Sequence, residues 1–164
     1  MNHPSGDQPS GGPPKSGFAR MAPEILVSDF EASLVFWQDL IGFEIAYRRP
    51  EDRFAYLDLR GAQIMLCERW GGWETGPLDQ PFGRGVMFQV YVTAIAPILA
   101  RLAQAGWPLH TDVREVWRDC GGSAIVDRIG QREFFVQDPD GYLLMVAEDL
   151  DDRPRLPMVP PVAT

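Results

Sequence analysis

The sequence has few of the residues from which metal and redox sites are built: of its 164 residues, two are cysteine and two are histidine. Cys67 and Cys120 lack the paired spacing of a zinc or thiol-redox motif, so a reducing compartment, the cytoplasm, is expected. Long hydrophobic runs are missing as well. None approaches the roughly 20 apolar residues of a membrane-spanning helix, so we expect no membrane association.

Basic residues are also scarce. The chain carries 15 Lys and Arg against 23 Asp and Glu, a formal net charge of −8. It contains no run of Lys or Arg that would neutralise a phosphate backbone, which makes nucleic acid an unexpected partner. The acidic excess favours a neutral or cationic partner instead.

Composition divides the chain into one domain and two tails. Residues 1–20 are rich in Pro, Gly and Ser and have almost nothing to bury, which predicts a disordered tail. They also lack the apolar core of a secretory signal. Residues 151–164 hold four prolines and predict a second tail. The remaining residues, 21–150, are about 130 in number, near the usual size of a single domain.

Within 21–150 the hydrophobic pattern switches between period 2 and period 3.6, which predicts an α+β fold. One helix is predicted from Asp29 to Ile41, with Ser28 and Glu31 spaced as a capping box and Gly42 as the stop. A second helix is predicted over 94–105, ended by a glycine. The segments EILV and MFQVYV precede these helices as strands. The other predicted strands cover 43–47, 54–59, 63–68, 109–116, 133–137 and 142–147.

The two halves of the domain resemble each other. Aligning them places Val27 over Val92, and RGAQIML over DGYLLMV places Met65 over Met145. We interpret this as a duplicated βαβββ module, about 21–83 and 84–150, because two copies with a period above 50 residues do not make a repeat array. Two such sheets would form a concave trough.

The segments VSDFEASLVFWQDLIGFEIAYRRPEDRFAYLDLRGAQIML, GRGVMFQVYV and GQREFFVQDPDGYLLMVAEDL resemble the vicinal-oxygen-chelate superfamily, also named glyoxalase/bleomycin resistance/dioxygenase. Within it they are most similar to bleomycin resistance proteins. The resemblance implies tandem βαβββ modules around a concave trough. Because the superfamily holds both metal enzymes and metal-free drug-binding proteins, the fold alone does not choose the function.

The resemblance also implies where metal ligands would stand. Metal enzymes of the superfamily carry His or Glu near the first strand of each module and Glu or an equivalent in its last strand. Here those positions hold Ala22, Met65, Met87 and Met145. These side chains are not ligands for a hard divalent cation. We therefore expect no metal, no cofactor and no catalysis. The alternative is a metal-dependent enzyme of the glyoxalase or dioxygenase type whose ligands lie in another register.

Strand alternation identifies the side chains that face the trough, because successive residues point to opposite faces. The predicted lining combines aromatic, thioether, amide and carboxylate groups, which suit a large, flat and partly polar molecule. Asp58 is the candidate for meeting a cationic group, and Cys67 is expected to be a buried free cysteine. The predicted lining residues are Phe54, Tyr56, Asp58, Gln63, Met65, Met87, Gln89 and Tyr91.

The resemblance implies a homodimer that sequesters a bleomycin-like drug, cationic at one end and carrying a planar bithiazole held between two aromatic rings. Phe54 matches one of these rings. The position of the second, a tryptophan in the relatives, holds Gly130. Trp117, Trp70 and Trp73 are the candidates for supplying that ring from another direction. The alternative ligand is another small aromatic metabolite.

Overall fold

The computed structural model describes residues 10–72, 74–119 and 128–150. Its elements follow the predicted order, with one additional strand at the start. They are β1 (Ser10–Gly11), β2 (Glu24–Val27), α1 (Phe30–Leu34) with a π-helical continuation (Val35–Ile41), β3 (Glu44–Arg49), β4 (Phe54–Leu59), β5 (Ala62–Glu68), β6 (Met87–Val92), α2 (Ala96–Gln104), β7 (Leu109–Asp119), β8 (Arg128–Gln137) and β9 (Leu143–Asp149).

The strands form two sheets that have the same topology apart from the additional β1. The first has the order β1-β3-β4-β5-β2 and the second the order β6-β9-β8-β7. In each module the first strand runs parallel to the last, and the other pairs are antiparallel. Glu24 lies opposite Met65 in the first sheet, and Gln89 lies opposite Met145 in the second. The duplicated βαβββ architecture and the α+β fold are therefore confirmed.

The first helix begins one residue later than its capping box predicts. Asp29 is the N-cap, and its side chain accepts a hydrogen bond from the Ala32 amide at 3.0 Å. The backbone N–H of Ser28 is instead used by the second module, where it donates to Asp140 Oδ2 at 2.8 Å. The end of the helix is as predicted, because Gly42 adopts a left-handed φ of 105°, a conformation that glycine tolerates best.

One hydrophobic core joins both modules. It consists of the apolar faces of the two helices and one face of each sheet, so alternate strand residues are buried in it. Its strand members include Leu57, Leu66, Val90, Phe134 and Val146. The intervening residues point to the opposite face. There Leu26, Phe54, Tyr56 and Cys67 form a second, smaller cluster.

Hydrogen bonds between the modules complete the core. The Trp37 indole N–H donates to Asp138 Oδ2 at 3.2 Å, and the Tyr142 hydroxyl donates to the Leu26 carbonyl at 3.1 Å. The Arg101 guanidinium on α2 donates to the carbonyls of Leu40 and Ile41 at 2.8 and 2.9 Å. These carbonyls lie in the last turn of the first helix, where carbonyls have no N–H partner within the helix.

The segment before β2 departs from its predicted disorder. Strand β1 pairs antiparallel with β3, with Ser10 opposite Arg48, and Lys15 forms an ion pair with Glu44 at 2.7 Å. The prediction of a tail over 1–20 is therefore wrong for residues 10–20. Composition misled it, because this segment is held by backbone pairing and polar contacts and not by a run of apolar side chains. Residues 1–9 and the predicted tail 151–164 lie outside the described residues.

Helices in the described ranges are short. None is long and apolar enough to cross a membrane.

The turn between β8 and β9 gives a pH-dependent contribution to stability. Asp138 Oδ1 accepts from the amides of Asp140 and Tyr142 at 3.0 and 2.8 Å, as expected of a turn-setting aspartate. Burial, with a smaller contribution from Asp140, raises the pKa of Asp138 to about 6, although hydrogen bonds from Tyr142 and Trp37 oppose the shift. The folded protein therefore holds this proton more tightly than the unfolded chain.

We predict that Asp138 stabilises the fold more at pH 5 than at pH 7. Because its pKa is raised on folding, its contribution grows as the pH falls through about 6 and amounts to about 1 kcal/mol over these two pH units. Urea unfolding of the wild type and Asp138→Asn at both pH values measures it. The stability difference between the two proteins should be larger at pH 5; a difference independent of pH contradicts the assignment.

Candidate functional site

The concave face of the first sheet brings together five of the predicted lining residues. Phe54 and Tyr56 are each 4% exposed, Asp58 and Gln63 are also buried, and Met65 is half-buried. The Tyr56 hydroxyl donates to Gln63 Oε1 at 2.6 Å. Tyr47 of β3 stacks on Tyr56, with ring centroids 5.2 Å apart and planes 17° from parallel. Burial raises the pKa of Tyr56, so its hydroxyl remains a hydrogen-bond donor.

This face is covered by the chain itself. The Ser16 hydroxyl donates to Asp58 Oδ1 at 2.6 Å, and the Ala19 amide donates to Gln63 Oε1 at 2.7 Å. Phe18 packs edge-on against Tyr56 with 5.6 Å between ring centroids. We name residues 16–19 the N-terminal strap.

The strap changes the role predicted for Asp58. Besides Ser16, this carboxylate accepts from the Gly61 amide at 2.9 Å and from Gln63 Nε2 at 3.2 Å. It is 8% exposed. These three bonds share Oδ1, so in this conformation Asp58 holds the strap, while its meeting a cationic group stays a prediction. Sequence reasoning missed the strap, since it assigned residues 1–20 to a disordered tail.

The second sheet presents its predicted residues more openly. Met87 is 46% exposed, whereas Met145 two strand positions away is buried. Tyr91 accepts hydrogen bonds through its hydroxyl from Gln89 Nε2 and from Gln131 Nε2, the latter at 2.6 Å. These side chains form a polar row beside a thioether surface.

A buried charge cluster continues this row. Glu133 is fully buried, and its carboxylate lies 2.8 Å from Arg114 Nη2 and 3.0 Å from Arg118 Nη2. Arg118 also donates to Gln131 Oε1 at 2.6 Å. Both arginine side chains remain about half exposed. Alternation along β8 places Glu133 on the same face as Gln131. Because the register of β7 shifts, the sequence pattern does not predict that the two arginines lie beside Glu133.

A crevice of about 510 Å³ lies where the two sheets meet. Its size falls within the range of small-molecule sites. Three predicted residues line it: Gln63 from the first sheet and Met87 and Gln89 from the second. The remaining walls are mostly apolar and include Met21 and Phe88. The crevice therefore offers two amides within an apolar and thioether surface, the combination predicted for a flat, partly polar ligand.

Trp117 does not join this surface. It pairs with Gly130, on the face of β8 that carries Phe134 and the core, away from Glu133. A Cβ atom on Gly130 would lie 2.6 Å from ring carbons of Trp117. The ring thus fills the space above the glycine, and the prediction that Trp117 lines the trough is wrong. Local sequence could not decide the face of Trp117, because its pairing with Gly130 follows two irregularities in the register of β7.

Of the two loop tryptophans, Trp70 is not placed at the crevice either. Trp70 is 38% exposed and is not among the residues that line it. Trp73, the other loop candidate, lies outside the described residues.

The donors at the family's metal positions do not fit a divalent cation. Met65 and Met145 stand at equivalent places in the last strands, and thioethers are poor ligands for such ions. Within the described ranges, no group of three or more His, Cys, Asp or Glu side chains is arranged to hold a metal. His110 is exposed on β7. Burial raises the pKa of Cys67 to about 11, so this thiol stays protonated and is a poor nucleophile.

Comparisons with known proteins agree with this architecture. A family model described as "Glyoxalase/Bleomycin resistance protein/Dioxygenase superfamily" matches residues 17–146. TioX from Micromonospora sp. ML1 has a similar structure, with a TM-score of 0.57 and 18% identity over 80% of this chain and 100% of that chain. The structure of a superfamily protein from Nocardioides has a TM-score of 0.56 and 19% identity over 84% of this chain and 87% of that chain. The structure of one from Alicyclobacillus acidocaldarius has a TM-score of 0.52 and 21% identity over 79% of this chain and 90% of that chain. No curated protein matches the sequence. At these identities the structures show a shared fold.

We predict that Glu133→Gln lowers the free energy of unfolding by about 3 kcal/mol, because two guanidiniums then lose their buried counter-charge. Glu115→Gln is the matched control. Its carboxylate pairs with Arg132 at 2.8 Å on the other face and is 52% exposed, so its loss should cost less than about 1 kcal/mol. Urea unfolding of both variants measures the difference; equal small losses would contradict a structural role for Glu133.

Proposed function

The chain belongs to the Glyoxalase/Bleomycin resistance protein/Dioxygenase superfamily, and we propose that it is a metal-free binding protein that sequesters a flat, aromatic, bleomycin-like natural product. The observation that carries this proposal is the crevice between the sheets, where Gln63, Met87 and Gln89 converge. Sequestration lowers the free concentration of such a compound and so confers resistance without chemistry.

The lining supports this ligand class in physical terms. Apolar and thioether walls adapt to a flat ring system and exclude water from it. The Gln89 amide supplies directional hydrogen bonding, which fixes orientation, whereas the Gln63 amide is bonded to the strap in this conformation. The net charge of −8 attracts a cationic drug at long range. Close-range binding then depends on apolar burial, so added salt should slow association more than it weakens the bound state.

We propose in addition that the protein acts as a homodimer. Met21 and Met87 both line the crevice, and they are 87% and 46% exposed. Exposed apolar side chains of this kind mark interaction surfaces when they lie together. A partner subunit over the mouth of the crevice would remove both thioethers from water and enclose the ligand. Light scattering after size-exclusion chromatography at micromolar concentration tests this, and a monomer at every concentration would contradict it.

The metal content of the untagged protein separates binding from metal-dependent catalysis. Thioethers and alanine stand at the superfamily's ligand positions, so we expect less than stoichiometric zinc, nickel, manganese or iron by elemental analysis. A full equivalent of any of these metals that survives dialysis would contradict the proposal. It would favour an enzyme of the glyoxalase or dioxygenase type.

We predict saturable binding of metal-free bleomycin at about one drug per chain, measured by calorimetry and by tryptophan fluorescence. Met87→Ala and Gln89→Ala should each weaken binding by roughly tenfold, the equivalent of a lost apolar contact or hydrogen bond. Val35→Ala is the control, because Val35 is an exposed apolar residue on the first helix. Absence of binding would contradict bleomycin as the ligand. Equal losses of affinity in all three variants would contradict the crevice as its binding site.

A further inference from the structure

The contacts of the N-terminal strap have the form of ligand recognition. Gln63 Nε2 donates to the Gly17 carbonyl at 2.5 Å, and Gln63 Oε1 accepts from the Ala19 amide at 2.7 Å. One side-chain amide thus forms hydrogen bonds with both a backbone carbonyl and a backbone N–H of the strap. Asp58 accepts a hydrogen bond from the Ser16 hydroxyl of the strap, and the Tyr56 ring packs against the ring of Phe18. Carbonyl, amide, hydroxyl and ring each meet a matching group on the sheet.

The receiving groups are oriented by the sheet as well as by the strap. Tyr56 donates its hydroxyl proton to Gln63 Oε1 at 2.6 Å, and Asp58 accepts from Gln63 Nε2 at 3.2 Å. These two bonds determine which end of the Gln63 amide is the donor. All three side chains lie on β4 and β5, which are paired along their length. A site on paired strands is held in place before its ligand arrives, which lowers the entropy cost of binding.

Outside its contacts with Gln63, Asp58 and Tyr56, the strap is weakly held. Phe18 remains 61% exposed, and the preceding β1 is only two residues long. The Lys15–Glu44 ion pair joins side chains that are 87% and 67% exposed, and exposed pairs contribute little. Because the strap belongs to the same chain, it also binds at an effective concentration of roughly millimolar. A free ligand with stronger contacts can replace it.

We infer that the concave face of the first sheet, centred on Gln63, Tyr56 and Asp58, is a binding subsite for an amide-bearing aromatic compound, and that residues 16–19 occupy it as an internal ligand. This deepens the proposed function and rests on it for the link to a natural product: the subsite adjoins the crevice through Gln63, which lines both. A peptide-like ligand would extend from the crevice onto this face as the strap leaves.

The direct test uses the full chain and the capped peptide acetyl-PKSGFAR-amide, which copies residues 14–20. A released variant carries Ser16→Asp, which places a carboxylate against Asp58, together with Phe18→Ala. Calorimetry should show saturable binding of the peptide to the released variant and at least roughly tenfold weaker binding to the wild type, because the wild-type strap competes in cis. Hydrogen exchange should show ligand-induced protection over 54–59 and 62–68. Circular dichroism checks folding, and Phe18→Ala alone replaces the double variant should it not fold.

Two controls make this result specific. Lys15→Ala removes the exposed ion pair with Glu44 and leaves the strap's contacts with Gln63, Asp58 and Tyr56 in place, so it should bind the peptide as the wild type does. A peptide with alanine in place of its phenylalanine should bind the released variant at least roughly tenfold more weakly, because the contact with Tyr56 is lost. Equal peptide binding by wild type and released variant, or binding by neither, overturns the inference.

Metal-free bleomycin separates the inference from the proposed function. If both hold, the released variant binds the drug more tightly than the wild type, and the drug increases exchange over residues 10–20 of the wild type. If the peptide binds only the released variant while bleomycin binds neither protein, the subsite stands and the bleomycin-like ligand is overturned. If bleomycin binds both equally and leaves exchange over 10–20 unchanged, the proposed function stands and displacement of the strap is overturned.

Discussion

Burial of one face of each sheet against the two helices is the constraint on which the other features depend. The side chains of a strand alternate between faces, so the residues given to the core leave every second residue for the opposite surface. Leu57 and Leu66 enter the core, and Tyr56 and Cys67 are thereby directed to the other side. The same rule in the second module buries Val90 and exposes Met87. The outer faces of the sheets are thus the complement of the core, whereas the crevice is also lined by core residues such as Ile64.

Polar groups near this surface are satisfied in two different ways. In the second sheet, Glu133 is buried between two arginines of the same hairpin, so its partners are built into the strands. In the first sheet, Asp58 and Gln63 take partners from the strap. Buried polar groups without partners are costly, so a ligand that displaces the strap must replace its hydrogen bonds. This requirement favours a ligand with amide groups over a purely apolar one.

The absence of metal-type ligands from the family positions in this chain directs attention to binding. Members of this superfamily that use a metal depend on it to polarise a bound substrate. Here the corresponding side chains, Met65 and Met145, are thioethers that pack beside Tyr56 and Phe135 in the registers of the two sheets. A surface of this kind contributes adaptable apolar contact. The proposed binding of a flat ligand depends on this contact and on hydrogen bonding.

Local and repeated patterns were sufficient to predict much of this molecule. Apolar periodicity placed both helices and β4 within a few residues, and the repeat of Met65 at Met145 revealed the duplicated module. The face of Trp117 and the strap over Asp58 were missed for reasons that no local pattern contains. Pairing with Gly130 puts Trp117 on the core side, and a segment of low hydrophobicity found its partners more than 40 residues away, as Ser16 did in Asp58. Alternation is a property of one strand, whereas the partner that covers a strand's outer face depends on long-range contacts formed only in the folded chain.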